Sequence, residues 1–474
     1  MDIASSTTTP AFRLEHDLLG EEPVPVDAYY GIQTQRAVQN FRISGVPISH
    51  FPELIRSLAM VKQAAAFANL QTGQLDANKA SVIEQACREI IAGKWHDQFV
   101  VDLIQGGAGT STNMNANEVI ANRALELMGR RRGEYEYLHP NNDVNMSQST
   151  NDAYPTAARL AVIFAAFPLL EALETLIAGL EEKAKEFEPV LKMGRTQMQD
   201  AVPMTLGQEF KAFAVTLREE IERICQASAL LHEMNLGGTA IGTGLNAHPD
   251  YAAIAIAELA AISGQPVVAG ADLIEATSDV GALVMFSGTL KRLAIKLSKV
   301  CNDLRLLSSG PRTGFNEINL PPMQPGSSIM PGKVNPVIPE AVNQTAFQVI
   351  GNDVAITLAA EAGQLQLNAM EPLIFYNLLN GIRMLGEAIT MLNERCIRGI
   401  TANQEHCETL VRNSIGIVTA LNPYIGYANA TRIAKRALET GRGVVELVLE
   451  EKLLSPAMLD ELLQPRTMLA PRRR

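Results

Sequence analysis

Apolar residues recur at three-to-four spacing over five stretches, 156–187, 205–234, 277–308, 339–370 and 372–396. That is the period of a helix with one face on a core. Helices of about 30 residues are roughly 45 Å long, more than one small core needs. Residues 252–262 and 355–367 are apolar over most of the circumference, which suits a helix that buries more than one face and packs against further copies of the chain. The pattern breaks at Arg398-Gly399, and shorter helical runs continue through Leu463. Before the first long stretch, short helical runs alternate with turn clusters such as Gly45-Val46-Pro47 and Asn141-Asn142-Asp143. The pattern predicts a mainly α chain of three consecutive domains: an N-terminal domain over 1–150, a central long-helix bundle over 151–398, and a small helical C-terminal domain over 399–474. The bundle is expected to form the helical core of an oligomer.

Composition agrees and narrows the function. The 474 residues are 47% apolar but only 5% aromatic, and the long stretches are rich in Ala, Leu, Ile and Met, which favours helix. A net charge of −11, with basic runs no longer than Arg130, Arg131, Arg132 and Arg472, Arg473, Arg474, argues against a nucleic-acid or acidic-membrane surface. An anionic substrate must therefore be drawn in by local groups. The five cysteines (Cys87, Cys225, Cys301, Cys396, Cys407) are far apart and read as buried thiols of a reducing compartment. The amino terminus shows no basic region followed by an apolar core. The most apolar stretch, 160–170, is about half a membrane span and contains Pro168. A cytoplasmic location is expected.

Four segments rich in Gly, Ser, Thr, Asn and Pro interrupt this pattern, and binding residues concentrate in such places. The first, Gln105-Gly106-Gly107-Ala108-Gly109-Thr110 and on to Asn115, suits either an anion site at a helix start or a plain glycine turn with a cap. The second, Asn145 to Asp152 with Ser147, Gln148, Ser149, Thr150 and Asn151, precedes Tyr154-Pro155 and could equally be a cap. The third, Lys192 to Pro203 with Arg195, Thr196, Gln197, Gln199 and Asp200, connects the first two long helices and reads as a polar loop, exposed or functional. The fourth, Pro325-Gly326-Ser327-Ser328 through Lys333, Asn335 and Pro336, is too rich in proline for helix and suits a mobile lid.

Together these segments hold many hydroxyl and amide donors, a cation in the proline-rich segment, Lys333, and no nucleophile with an adjacent histidine, while the seven histidines are scattered along the chain with no metal-ligand spacing. Such donors suit a small dicarboxylate, and a reaction in which proton loss beside a carboxylate builds a dianionic aci-carboxylate. β-Elimination fits. A serine base such as Ser327 would need its anion stabilised by loop amides and Lys333 after closure excludes water.

The fourth segment resembles the G-S-S-x-M-P-x-K-x-N signature of the fumarase/aspartase superfamily, and the other three match that family's site segments in the same order, over a likeness running from Asp27 to about Gly441. The stretches around Lys192, Asp272, Ser308 and Gln364 resemble the aspartate ammonia-lyases among them. The resemblance implies a three-domain fold with a tetrameric helical core, and deamination of L-aspartate to fumarate. By the same resemblance Ser327 is the base that takes the Cβ proton, and Lys333, Asn335 and Thr196 hold the α-carboxylate. Thr110, Ser149, Thr150 and Ser328 would grip the β-carboxylate, with Asn151 and Thr110 at the amino group. Gln197 departs from the histidine of class II fumarases, which removes an imidazole that could assist a hydroxide leaving group. Gly332 occurs in both kinds of enzyme and decides nothing. No organic cofactor or resident metal is implied; activation by a divalent cation such as Mg2+ is compatible with it. The alternatives are a class II fumarate hydratase and a non-catalytic structural relative, the latter opposed by the full set of site residues. Loops at opposite ends of a helix about 45 Å long cannot meet in one subunit, and which loops share an end is not fixed by the sequence; the resemblance implies a homotetramer whose sites each draw loops from three chains.

Overall fold

The computed structural model describes residues 11–464 and 467–468. The five long helices are present: Thr150–Glu186, Leu206–Ala229, Gly281–Leu307, Val337–Glu361 and Glu371–Arg395. The chain falls into two compact units, each made of separated stretches, 1–169, 223–291 and 348–384 in the first and 170–222, 292–347 and 385–474 in the second. The unit boundary falls inside each of the five long helices. Compactness thus groups stretches distant in sequence, a different division from three consecutive domains.

Several helix ends differ from the sequence reading, the second long helix stopping at Ala229 rather than near 234 and the third starting at Gly281 rather than near 277, and two further differences have a clear physical cause. The first long helix starts at Thr150, six residues before the expected position, because Ser149 and Asp152 form a capping box: Ser149 Oγ accepts from Asn151 N at 3.2 Å and Asp152 Oδ1 accepts from Ser149 N at 2.9 Å. Pro155, inside the helix, has no N–H for the Asn151 carbonyl, and Asn235 Nδ2 donates to that oxygen instead at 2.8 Å. The fourth long helix stops at Glu361 rather than near 370, since Asn368 Nδ2 caps the Ala359 and Ala360 carbonyls at 3.0 and 3.2 Å. Leu365 lies beyond that end at 88% exposure.

By length and composition the helix Thr150–Glu186 is apolar enough to cross a membrane, which the shorter stretch 160–170 did not suggest. The same apolarity serves burial here: Ala153, Tyr154, Leu160, Leu173 and Leu180 are wholly covered. Four cysteines are buried as expected, whereas Cys225 is exposed on the second long helix.

In the first unit, helix Pro52–Gln71 packs against helix Ala77–Ile91, and both contact Thr110–Leu127. In the second, a tail of helices (Gln404–Asn413, Ile417–Ile425, Tyr427–Thr440, Val444–Glu450, Pro456–Leu462) closes a core around Val411, Leu421, Ile433, Leu447 and Leu459. Leu191 and Met193 join that core. They belong not to a loop but to a hairpin, Leu191–Thr196 paired antiparallel with Gln199–Thr205.

Candidate active site

In the first unit the first two polar segments come together around a buried lysine. Glycines and Ala108 at positive φ (Gly107 88°, Ala108 54°, Gly109 92°) turn the chain into helix Thr110–Leu127. A Cβ on Gly109 would stand 2.4 Å from Tyr154 Cδ1, so only glycine lets this turn lie against the helix opened by Thr150. Gln105 braces the turn, donating to the Asp102 carbonyl at 2.7 Å and accepting from Thr112 N at 3.0 Å. Thr110 is exposed and its Oγ1 donates to the Gly107 carbonyl at 2.7 Å.

One turn further on, Asn113 Nδ2 donates to Thr150 Oγ1 at 3.2 Å, linking the first segment to the second. Lys62, from helix Pro52–Gln71 and 0% exposed, places its ammonium among three amide oxygens: Asn113 Oδ1 at 2.6 Å, Asn145 Oδ1 at 2.9 Å and Gln148 Oε1 at 2.8 Å. Burial pulls its pKa down to about 7, opposed by the charge of Asp152. Asp152 is also wholly buried and accepts from the amides of Ser149, Gly237 and Thr239. Burial pushes its carboxyl up to about 6 against the pull of those amides and Lys62. Asn151 Nδ2 donates to the Ala240 carbonyl at 2.8 Å. Ser149, Thr150 and Asn151 are thus partly buried, in one turn, with their backbone fixed from below.

The second unit carries the other two segments. The hairpin tip is a two-residue turn with Gln197 at φ 53° and Met198 at φ 65°, flanked by the pair Thr196 and Gln199. Two successive side-chain-bearing residues in the left-handed region are strained, as residues at functional sites often are. Buried ion pairs anchor the strand behind the tip: Glu317, 0% exposed, meets Lys192 Nζ at 2.9 Å and Arg195 Nη1 at 2.6 Å, and Lys192 also pairs with Glu209. Arg195 stacks over Phe315 at 4.2 Å. Gln197, Arg195 and Phe315 line a cleft of about 390 Å³ with Lys299 and Asp303.

The proline-rich segment is a loop closed at its neck. Gly326 N donates to the Lys333 carbonyl at 2.8 Å and Asn335 Nδ2 to the Gly326 carbonyl at 2.7 Å. A Cβ on Gly326 would collide with the Lys333 oxygen at 2.2 Å. Ser327 Oγ accepts from the amides of Ile329 and Met330 at 3.2 and 3.1 Å, an arrangement that favours its anion. Ser327 is partly buried, whereas Ser328, Lys333 and the apolar Ile329 and Val334 are exposed.

The sequence-derived residues therefore fall into two groups. Thr110, Ser149, Thr150 and Asn151 belong to the first unit, and Thr196, Gln197, Ser327, Ser328, Lys333 and Asn335 to the second. Within the second unit no hydrogen bond or ion pair among the described residues ties the hairpin tip to the Ser327 loop. Sequence reasoning missed Lys62 and Glu317. The signal for Lys62 was available: it is the one charged residue in the run 58–68, which is apolar but for Lys62 and Gln63.

Comparison with known proteins bears on what these groups are. Residues 20–351 match a family described as Lyase and residues 417–470 one described as Fumarase C C-terminus. An aspartate ammonia-lyase of Pseudomonas aeruginosa is 69% identical over 97% of each chain. A fumarate lyase:delta crystallin from Brucella melitensis, solved bound to cobalt, is 58% identical with a TM-score of 0.95, covering 97% of this chain and all of that one. A class II fumarase from Schistosoma mansoni is 35% identical with a TM-score of 0.90, covering 97% and 99%. The chain belongs to this family of lyases, the fumarase/aspartase superfamily. Within it, it is a carbon–nitrogen lyase by kinship: relatives 55–69% identical over nearly their whole length carry that activity in their names.

Proposed function

We propose that this chain deaminates L-aspartate reversibly to fumarate and ammonia, with Ser327 as the base that removes the Cβ proton and an aci-carboxylate as the intermediate. The observation that carries the reading is the Ser327 turn. Its Oγ accepts two backbone amides, so the alkoxide that must form before proton abstraction has donors in place. Proton transfer from Cβ to Ser327 leaves an electron pair that the β-carboxylate takes up; collapse of that dianion forms the double bond and expels ammonia. Thr110, Ser149, Thr150 and Ser328 bind the β-carboxylate, Asn151 and Thr110 the amino group, and Lys333, Asn335 and Thr196 the α-carboxylate. No organic cofactor enters the scheme, and a divalent cation acts, if at all, as an activator. Gln197 at the strained tip offers an amide where a hydratase would offer an imidazole.

The residues of the two groups are assigned to one substrate supplied by different subunits of a homotetramer in the cytoplasm. In support, long helices carry large apolar residues left open on one chain, Val215 at 49%, Ile295 at 51%, Phe347 at 61% and Leu358 at 64% exposure. Four of five thiols are buried and all five unpaired, as a reducing compartment allows. The test follows ultraviolet absorbance of fumarate from purified protein given L-aspartate, with L-malate as the comparison substrate. Fumarate from aspartate at a much higher rate supports the reading; faster reaction with malate overturns it in favour of hydration.

A further inference from the structure

The Lys62 cluster has a directional chemistry that the reaction scheme does not use. An ammonium has three protons and no lone pair. Lys62 Nζ spends one on each of three side-chain oxygens, Asn113, Asn145 and Gln148, and is 0% exposed. Each contact fixes which way round an amide lies, because its oxygen must face the lysine and its NH2 must face away. For Gln148 the NH2 goes to the Val144 and Met146 carbonyls at 3.0 and 3.1 Å, holding the turn before Ser149. For Asn113 it goes to Thr150 Oγ1 at 3.2 Å and to Asn145 Oδ1 at 3.1 Å. Asn145 Oδ1 also receives Asn117 Nδ2 at 3.1 Å, so three donors converge on that oxygen and none of the three amides can flip without losing bonds.

The consequence falls on Thr150. A hydroxyl that accepts at its oxygen from Asn113 has its own proton left to donate, and a substrate carboxylate needs a donor. A flipped Asn113 would present an oxygen to Thr150 and draw that proton inward. Resting on the function proposed above, we infer that Lys62 is a positioning residue that orients Asn113 and thereby turns the Thr150 hydroxyl into a donor toward the substrate carboxylate. Burial lowers the tendency of Lys62 to stay protonated, and the three amide oxygens with nearby Asp152 oppose that loss.

The experiment measures binding of succinate, an unreactive dicarboxylate, by titration calorimetry on the assembled protein, alongside kcat and KM for aspartate. Lys62→Met keeps the length and apolar stem while removing the donors. It is expected to weaken succinate about tenfold, the worth of one oriented hydrogen bond to a charged group, and to raise KM more than it lowers kcat. In a Thr150→Val background, where no hydroxyl remains to orient, the same substitution should change succinate affinity by less than about twofold, since coupled residues are non-additive. Equal losses in both backgrounds would reduce Lys62 to a packing role and overturn the inference. If Lys62→Met fails to fold, Asn113→Ala carries the same cycle: its effect must likewise vanish without the Thr150 hydroxyl, and an undiminished effect contradicts the relay. A wild-type protein that neither binds succinate nor makes fumarate removes the functional reading and this inference together. A wild type that does both beside a Lys62→Met protein that binds equally well removes this inference alone.

Discussion

Lys62 and Lys333 both bear on the candidate site segments, and their surroundings differ in every respect. Lys62 is wholly covered, donates to three amide oxygens and sits under a turn whose backbone is bonded from several sides. Lys333 is exposed on a loop held at its neck by two hydrogen bonds, Gly326 to Lys333 and Asn335 to Gly326, with Ile329 at 83% exposure above it. The first region has little left to arrange when a carboxylate arrives. The second is exposed and lightly tied, as the proposed function would ask of a segment that admits substrate and then excludes water. The hairpin of the second unit combines the two characters, rigid through Glu317 at its root and strained at Gln197 and Met198 at its tip.

The largest effect expected from this contrast is chemical. Ser327→Ala should lower kcat by about a thousandfold or more while succinate affinity changes little, because on the proposed mechanism the hydroxyl acts in the transition state. Turnover at a tenth of wild type would exclude Ser327 as the base. Lys333→Ala should differ in kind, with KM and kcat both affected, since on the function proposed above a ground-state carboxylate loses its partner. Next in size is stability. Glu317→Gln leaves Arg195 without its carboxylate and Lys192 with Glu209 alone, and should cost about 3 kcal/mol, the usual consequence of breaking a buried ion pair. Asn335→Ala, in the exposed loop, should cost about 1 kcal/mol or less. Denaturant melts showing equal losses would erase the distinction between anchored hairpin and loose loop.

A smaller effect depends on pH. Glu371, at the start of the fifth long helix, is 4% exposed, and burial pushes its carboxyl up to about 8, against the pull of Arg159. A carboxyl raised in the folded state stabilises most below its unfolded value near 4.5, and that contribution is lost as pH rises toward 8. Glu371→Gln should therefore gain on wild type in melting temperature between pH 5 and pH 8.5. A gap that stays constant, or moves the other way, would show that burial does not set this group.

Much of this organisation was legible before any coordinates. The three-to-four spacing located all five long helices, because a helix that buries one face must repeat its apolar positions whatever it packs against. What escaped notice depended on partners distant in sequence. Pro155 reads as a helix boundary until Asn235, eighty residues on, is seen to bond the carbonyl it leaves open. The hairpin at 191–205 was taken for a loop since Arg195, Thr196, Gln197 and Gln199 show no apolar alternation; its order comes from Glu317 and from the tail helices that cover Leu191 and Met193. The end at Glu361 was hidden for the same reason, its cap being the side chain of Asn368. At the site, the donor residues stood out as polar clusters, while Lys62 was concealed by its apolar neighbours although its isolation among them was the available clue.

The central claim is that the Thr150 turn and the Ser327 loop serve one reaction from different subunits. Thr150→Ala and Ser327→Ala proteins, each inactive alone, are to be unfolded together and refolded as mixed oligomers, with assembly followed by light scattering and fumarate formation from L-aspartate followed by absorbance. Some sites in the mixture should receive both intact segments, and activity should return only when the two variants are refolded together. Mixed oligomers of the right mass that stay as inactive as the separately refolded controls would contradict the claim.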